Sequence, residues 1–342
     1  MNITSLSIDS PEWVAFVSAH PAATAFHHPA WAKLLAECYG YRPFVIAALD
    51  RGGGILAGVP LVAVSSPLTG RRWVSLPFTD ACPPLYDDPN ALEVLVTHLA
   101  EEYRAKHIPG VELRAWVPGA GVSRRDCSFV THTRRLAGSA EELRRTFDRA
   151  VRQGTRQAQD RGVSVRRCTS EADMMLFYDL LARTRWRLGS PVQPRRFFRL
   201  LWERVIDRGM GFTLLAYAEG KPIAGDVFLN YGKTLIAKYN GSDPAYWNLR
   251  ANNLLLWTAI EWGRANGYQH FDFGRTELRN ATLRSYKSHW GAREEPLVYS
   301  FIGGSPVLLT QRWTMRALST LIRHSRPSVG QAVGELLYGH YA

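Results

Sequence analysis

The chain has 342 residues, of which 46% are hydrophobic and 21% charged, a balance that predicts a folded globule of one large domain or two ordinary ones and excludes general disorder. The net charge of +12 favours an anionic partner, such as RNA, a nucleotide-linked substrate or an acidic membrane surface, although an arginine-rich composition produces the same charge without one. Four scattered cysteines without Cys-x-x-Cys spacing argue against a zinc site or a disulfide framework, so no metal is expected. No basic-then-apolar leader stands at Met1–Asp9 and no apolar run approaches the roughly 18 residues of a spanning helix, so a soluble, cytoplasmic protein is expected.

In chain order, 44–49 reads as a strand, 51–54 as a glycine-rich turn and 55–64 as the returning strand. A proline-rich turn follows at Leu76-Pro77-Phe78-Thr79-Asp80 through Leu85, then a helix over 91–106 and a strand over 111–114. The unit recurs: strand 212–217, turn 219–222, strand 223–230, helix 252–266 and strand 270–273. Ala57-Gly58 and Ala224-Gly225 occupy nearly equivalent places in the two hairpins.

Between the repeats, 139–162 is basic and helix-forming. Ser139 and Glu142 have capping-box spacing, and Leu143, Phe147, Ala150 and Val151 make an apolar face. Arg145, Arg149, Arg152 and Arg156 then share one side, as a solvated face or as an arginine face toward phosphate, and Gly154 marks a bend. After 305 a basic, apolar tail predicts two short helices broken at Arg326-Pro327. Arg312, Arg316, Arg323 and Arg326 would serve a peripheral membrane contact, but packing on the rest of the chain ranks higher.

The densest signal is Phe271-Asp272-Phe273-Gly274-Arg275 followed by Leu283 to Gly291. An apolar strand ends on a glycine, with an acid inside it and a guanidinium at its exit. Next comes a segment with Lys287, one of six lysines, near Tyr286 and Trp290. Asp272 and Arg275 read equally well as an ion pair capping the strand.

This segment resembles the C-terminal signature of the FemAB-like branch of the GNAT acyltransferase superfamily: an Asp-Phe-Gly-Arg strand end, then Phe-Lys-x-x-Trp/Phe-Gly. Tyr286 replaces the usual Phe, and Ala281-Thr282 replaces the loop glycine. Thr184 to Gly189, Ala224-Gly225, Gly241-Ser242-Asp243 and Asn252 to Leu255 extend the likeness, as do Arg152, Arg156, Ala158, Gly162 and Val163 in the basic helix. It covers 141–303 well and 26–114 more weakly, through Pro29-Ala30-Trp31 and Leu76 to Asp80.

The resemblance implies an α/β fold with mixed sheets and two tandem GNAT-like domains with a cleft between them. These are a degenerate, acceptor-side copy over 1–138, a catalytic copy over 139–305 and a tail over 306–342 that packs back on the first copy. It implies that Lys287 stabilises the oxyanion or the donor's phosphate end, with Asp272 and Arg275 beside it. Asp80 becomes an acceptor contact, and Arg149, Arg152, Arg156, Tyr239, Arg250, Asn252 and Trp290 become substrate-binding candidates. Arg250 would supply charge and Asn252 would cap a helix starting at Asn253. The expected CoA glycine loop is missing, since no glycine lies between Gly241 and Gly263, which favours a larger aminoacyl donor.

No tightly bound cofactor is expected. The resemblance implies aminoacyl-tRNA or acyl-CoA as the donor. It implies as acceptor an amine on a cell-wall precursor or a secondary metabolite. An acyl-CoA-dependent N-acetyltransferase is the second reading. A non-catalytic protein of exopolysaccharide or cell-envelope assembly is the third.

Overall fold

The computed structural model describes residues 1–66, 70–303 and 311–341. The elements run β1 (Asn2–Ser7), α1 (Pro11–Ala19), α2 (Pro29–Tyr39), β2 (Arg42–Leu49), β3 (Ile55–Ser66), β4 (Gly70–Val74), β5 (Leu85–Tyr86), α3 (Pro89–Arg104), β6 (Gly110–Leu113) and β7 (Val122–Arg135). They continue with α4 (Ala140–Arg145), α5 (Arg149–Asp160), β8 (Ser164–Arg167), α6 (Glu171–Leu188), α7 (Arg195–Leu201), β9 (Gly211–Ala218), β10 (Lys221–Tyr231) and β11 (Thr234–Ser242). Last come α8 (Ala251–Ala265), β12 (His270–Asp272), β13 (Thr276–Glu277), α9 (Ala281–Ser288), β14 (Arg293–Ile302), α10 (Gln311–His324) and α11 (Pro327–Leu337).

The described residues form two compact units. Residues 1–129, 296–303 and 339–341 make the first, and 130–295 with 311–338 make the second. The break expected after 138 therefore falls after Phe129, because the last residues of β7 pair with β12 in the second unit. The strand end 296–302, expected in the second copy, belongs to the first, where Ser300–Ile302 pair with Val111–Leu113.

In the first unit β1, β2, β3 and β4 are antiparallel neighbours, and β6 joins β4 in parallel. Helix α3 starts where Asp88 caps Asn90 N–H and Pro89 takes the first helical position. It lays Ala91, Leu95, Val96 and Leu99 against Ala48, Ala57, Val59 and Leu61 of the sheet.

The second unit repeats this plan. β8, β9, β10 and β11 are antiparallel, β12 follows β11 in parallel, and the end of β7 closes the order. The β9–β10 hairpin turns on Glu219 and Gly220, both at positive φ, as a two-residue turn matched to strand twist requires. Helices α5 and α8 cover one face, with Val151, Ala158, Leu255 and Ile260 packed on Ala216, Ala224 and Phe228. Helix α6 covers the other so closely that a Cβ on Gly241 would stand 2.5 Å from Leu181 N.

The tail differs from expectation. Helices α10 and α11 belong to the second unit and pack on α6, which ends on Gly189 at φ +68. Trp186 Nε1 donates to Ser325 O at 2.9 Å, and Arg195 N–H to Glu335 Oε1 at 3.1 Å. Only 339–341 join the first unit, where Tyr41 donates to Gly339 O and Ser66 to His340 O. Arg323 is spent on the Leu188 carbonyl, at 3.1 Å. The side chains of Arg312 and Arg316 lie outside the described residues. No helix among the described residues is long and apolar enough to cross a membrane.

Candidate active site

The site is built where β11 and β12 part. They pair only over Thr234–Ile236 and His270–Asp272, and β11 runs on to Ser242. The other chain turns away at Gly274, whose φ is +70. Asp272 shapes that exit, since its Oδ1 accepts the Gly274 N–H at 2.7 Å. Arg275 is exposed beyond it.

Helix α9 faces this exit. Asn280 caps it by accepting the Leu283 N–H at 3.1 Å. Lys287 is only 6% exposed, and its Nζ donates to Gly274 O at 2.7 Å and to Arg275 O at 3.3 Å. A buried ammonium needs such partners, and here they tie the helix to the end of the strand. Beneath it His132 is fully buried, with Nε2 3.1 Å from Glu294 Oε2. Burial first, then the Lys287 charge, hold its imidazole below the ordinary histidine value. Two bonds from Arg284, at 2.8 and 2.7 Å, hold the Glu294 carboxyl below its usual range.

One turn away, Tyr286 and His289 line a cleft of about 280 Å³ with Gln153, Gly154 and Gln157 of α5 and Arg250 and Asn253 at the start of α8. Gly154 lets the helices meet, since a Cβ there would stand 2.9 Å from Asn253 Nδ2. Arg250 adopts φ +58 at the head of α8, with no side chain capping that end. The first-turn N–H groups of such a helix attract anions. Lys287 does not line the cleft, because successive helical residues point about 100° apart.

A residue not foreseen lies below. Asp226 of β10 is 4% exposed and accepts a 2.5 Å bond from Asn240 Nδ2. The same nitrogen lies 3.3 Å from Asn252 Oδ1. Burial pushes the Asp226 carboxyl up to about 7. Burial and then the Asp226 charge also raise the Tyr286 hydroxyl.

Several expected substrate contacts have other work. Trp290 is fully buried and packs edge-on against Phe147, with ring centroids 5.2 Å apart, so it is core. Tyr239 is 6% exposed and packs against Phe197 and Phe198, because alternation along β11 turns it to the α7 side. The basic helix is two helices, broken where Asp148 caps α5 through the Ala150 N–H. Arg152 Nη1 donates to Arg145 O and Phe147 O at the end of α4. Arg156 lies 3.6 Å from Asp160, and Arg145, on the separate helix α4, pairs with Glu141. Arg149 is exposed at the start of α5, and Ala150 lines the cleft instead of the core. Helix α8 begins at Ala251, so Asn252 sits in its first turn and caps nothing. In the first unit Asp80 is 8% exposed, and its carbonyl accepts from Tyr299. The turn before it holds Leu76 and Phe78 at positive φ, a strained conformation for both. Among the described residues no group of three or more His, Cys, Asp or Glu is placed to hold a metal.

Comparison with known proteins bears on the fold. Residues 141–288 match the acetyltransferase (GNAT) domain family. The crystal structure of FemX superposes with a TM-score of 0.71 at 16% identity, covering 88% of this chain and 97% of that one. The structure of L-PGS from Bacillus licheniformis gives a TM-score of 0.56 at 13% identity, covering 94% of this chain and 99% of that one. A tandem GNAT protein from the clavulanic acid biosynthesis pathway gives 0.52 at 12%, covering 89% and 99%. No curated protein matches the chain in sequence. Residues 141–288 therefore form a GNAT acetyltransferase domain, and the chain shares the fold of FemX and of tandem GNAT proteins.

Proposed function

We propose that the protein transfers an acyl or aminoacyl group to the nitrogen of an amine acceptor in the opening between β11 and β12. The observation that carries this reading is the Lys287 ammonium, fixed by two backbone carbonyls at the strand exit, in a domain of the acetyltransferase family. The amine nitrogen attacks the donor carbonyl carbon and forms the C–N bond. Negative charge gathers on the carbonyl oxygen, and collapse breaks the bond to the leaving sulfur or oxygen. The proton lost by the amine leaves with the donor's departing group or to solvent. A fixed positive charge at the exit favours the charged intermediate over the neutral reactants. Asp272 sets the turn that presents the Gly274 and Arg275 carbonyls to Lys287.

The cleft beside α9 is then the donor's seat, with Arg250 and the first turn of α8 toward its phosphate. An aminoacyl-tRNA donor is the first reading, because the β11–α8 connection has no glycine for close approach to a pyrophosphate. Acyl-CoA is the second, favoured by the uncapped head of α8. The acceptor is an amine of a cell-wall precursor or of a secondary metabolite. Contact with the membrane periphery would suit the first of these.

Native mass spectrometry of the protein with acetyl-CoA, other CoA thioesters and charged tRNAs tests the donor. A saturable complex with one class, followed by acyl release when an amine is added, is the expected result. No complex with either class would remove the cleft from the mechanism.

A further inference from the structure

The strand β11 carries one exposed carboxamide in the opening, between the buried Tyr239 and the buried Gly241. That carboxamide, Asn240, has its orientation fixed from below. Its Nδ2 donates to Asp226 Oδ1 at 2.5 Å and lies 3.3 Å from Asn252 Oδ1. With Nδ2 directed at these two oxygens, the amide nitrogen points inward and Oδ1 is the outward group. Asp226 is itself locked in β10 between Gly225, which packs against Phe177, and the buried Val227. Its ladder partner on β9, Leu214, is apolar. The charged and titratable groups that act on its surroundings are Tyr286 of α9 and Arg250 ahead of α8, and both line the cleft.

An exposed hydrogen-bond acceptor held rigidly in a gap between strands is suited to receive an N–H. The acyl-transfer reading needs such a group, because a nucleophilic amine must be aligned on the carbonyl and it brings N–H donors of its own. We propose that Asn240 Oδ1 receives an N–H of the acceptor amine, and that Asp226 is the positioning residue that holds the Asn240 carboxamide in that orientation. The assignment rests on the acyl-transfer reading and names the class of group recognised: a primary amine, bound through hydrogen bonding and not through a charge pair. The neutral amine is the form that attacks. A carboxylate in the same place would favour the inert ammonium, whereas a carboxamide oxygen accepts an N–H without that bias. Burial of Asp226, which keeps its charge out of the opening, fits the same logic.

The test uses the full chain with acetyl-CoA and alanyl-tRNA as donor probes and glycinamide and lysine as amine probes. Asn240→Ala is exposed and should fold as the parent does. It should raise the amine KM about tenfold while leaving the donor KM within about twofold. Asp226→Asn places a second carboxamide under the first and removes the fixed acceptor, so Asn240 is free to turn over. It should also raise the amine KM. Asn240→Asp should shift the pH dependence of the amine KM to higher pH, a change that loss of packing would not produce. An unchanged amine KM in Asn240→Ala, or equal rises in both KM values, overturns the assignment. If the parent protein transfers from neither donor to either amine, the acyl-transfer reading falls first and this assignment falls with it.

Discussion

Lys287 Nζ lies 2.7 Å from the carbonyl oxygen of Gly274, thirteen residues earlier in the chain, and 3.3 Å from that of Arg275. One side chain therefore joins the helix carrying Tyr286 and His289 to the point where β12 ends. It places a positive charge beside the opening and holds the wall of the cleft.

Replacing Lys287 tests both roles. Lys287→Met keeps the length of the side chain and loses the charge. Turnover should fall by at least about a hundredfold. Two carbonyls would lose a donor, at a cost of about 1–3 kcal/mol in urea unfolding. Lys287→Arg should restore little of either, since a planar fork does not fit a site built for an ammonium. Near-parental acyl release by the Met variant would remove Lys287 from the chemistry.

Gly241 is the closest contact between β11 and α6. A methyl group there meets Leu181 N at 2.5 Å and Leu180 C at 2.8 Å, both backbone atoms with no rotamer to change. Gly241→Ala should cost about 2–3 kcal/mol by forcing the helix off the sheet. Denaturant midpoints with unchanged slopes would measure it, and a change below about half a kcal/mol would contradict the packing.

His27 predicts an acid limit for the first unit. The Thr24 N–H donates to its Nδ1 at 3.0 Å, so Nε2 carries the proton and donates to Pro83 O at 2.9 Å. Burial lowers the imidazole pKa to about 4, against an unfolded value of 6.5. The unfolded chain thus binds a proton that the folded chain refuses, and stability falls as pH drops from about 6.5 toward 4. Stability curves between pH 4 and 7 should lose part of this slope in His27→Gln.

Asp226 predicts the opposite slope for the second unit. Its folded value of about 7 lies above the ordinary carboxyl value of 3.8, so between these limits the folded chain holds a proton that the unfolded chain has released. Stability therefore falls as pH rises through that window and levels off above it, by an amount on the order of 4 kcal/mol at most. Asp226→Asn should flatten the curve and be the more stable protein at pH 8. An identical slope in parent and variant would show that the acid ionises freely.

Much of this architecture was legible because it rests on short-range rules. The two hairpins announced themselves through apolar runs and glycine turns, and the Ser139–Glu142 capping box formed as its spacing requires. The strand end at Gly274 also followed from residue type, whereas the burial of Lys287 did not, because its partners are carbonyls twelve and thirteen residues away. The failures share a cause: a side chain's partner can lie far away in sequence. Arginines at helical spacing said nothing of Asp148, which restarts the helix and leaves Arg152 to cap the piece before it. Trp290 and Tyr239 were expected as substrate contacts but fill cores made by Phe147 and by Phe197 and Phe198. Asp226 had a readable sign, an acid within the apolar strand Ile223 to Leu229, but its significance needed Asn240 on the neighbouring strand.

The pairing of Ser300–Ile302 with Val111–Leu113 bears on how the chain must be made. A ribosome releases β6 long before β14 exists, so the first unit emerges with an open flank and must wait for most of the second to be synthesised. Cutting the gene after residue 138 should therefore yield a sticky, incomplete half, whereas supplying 296–303 as a peptide in trans should help it to dissolve.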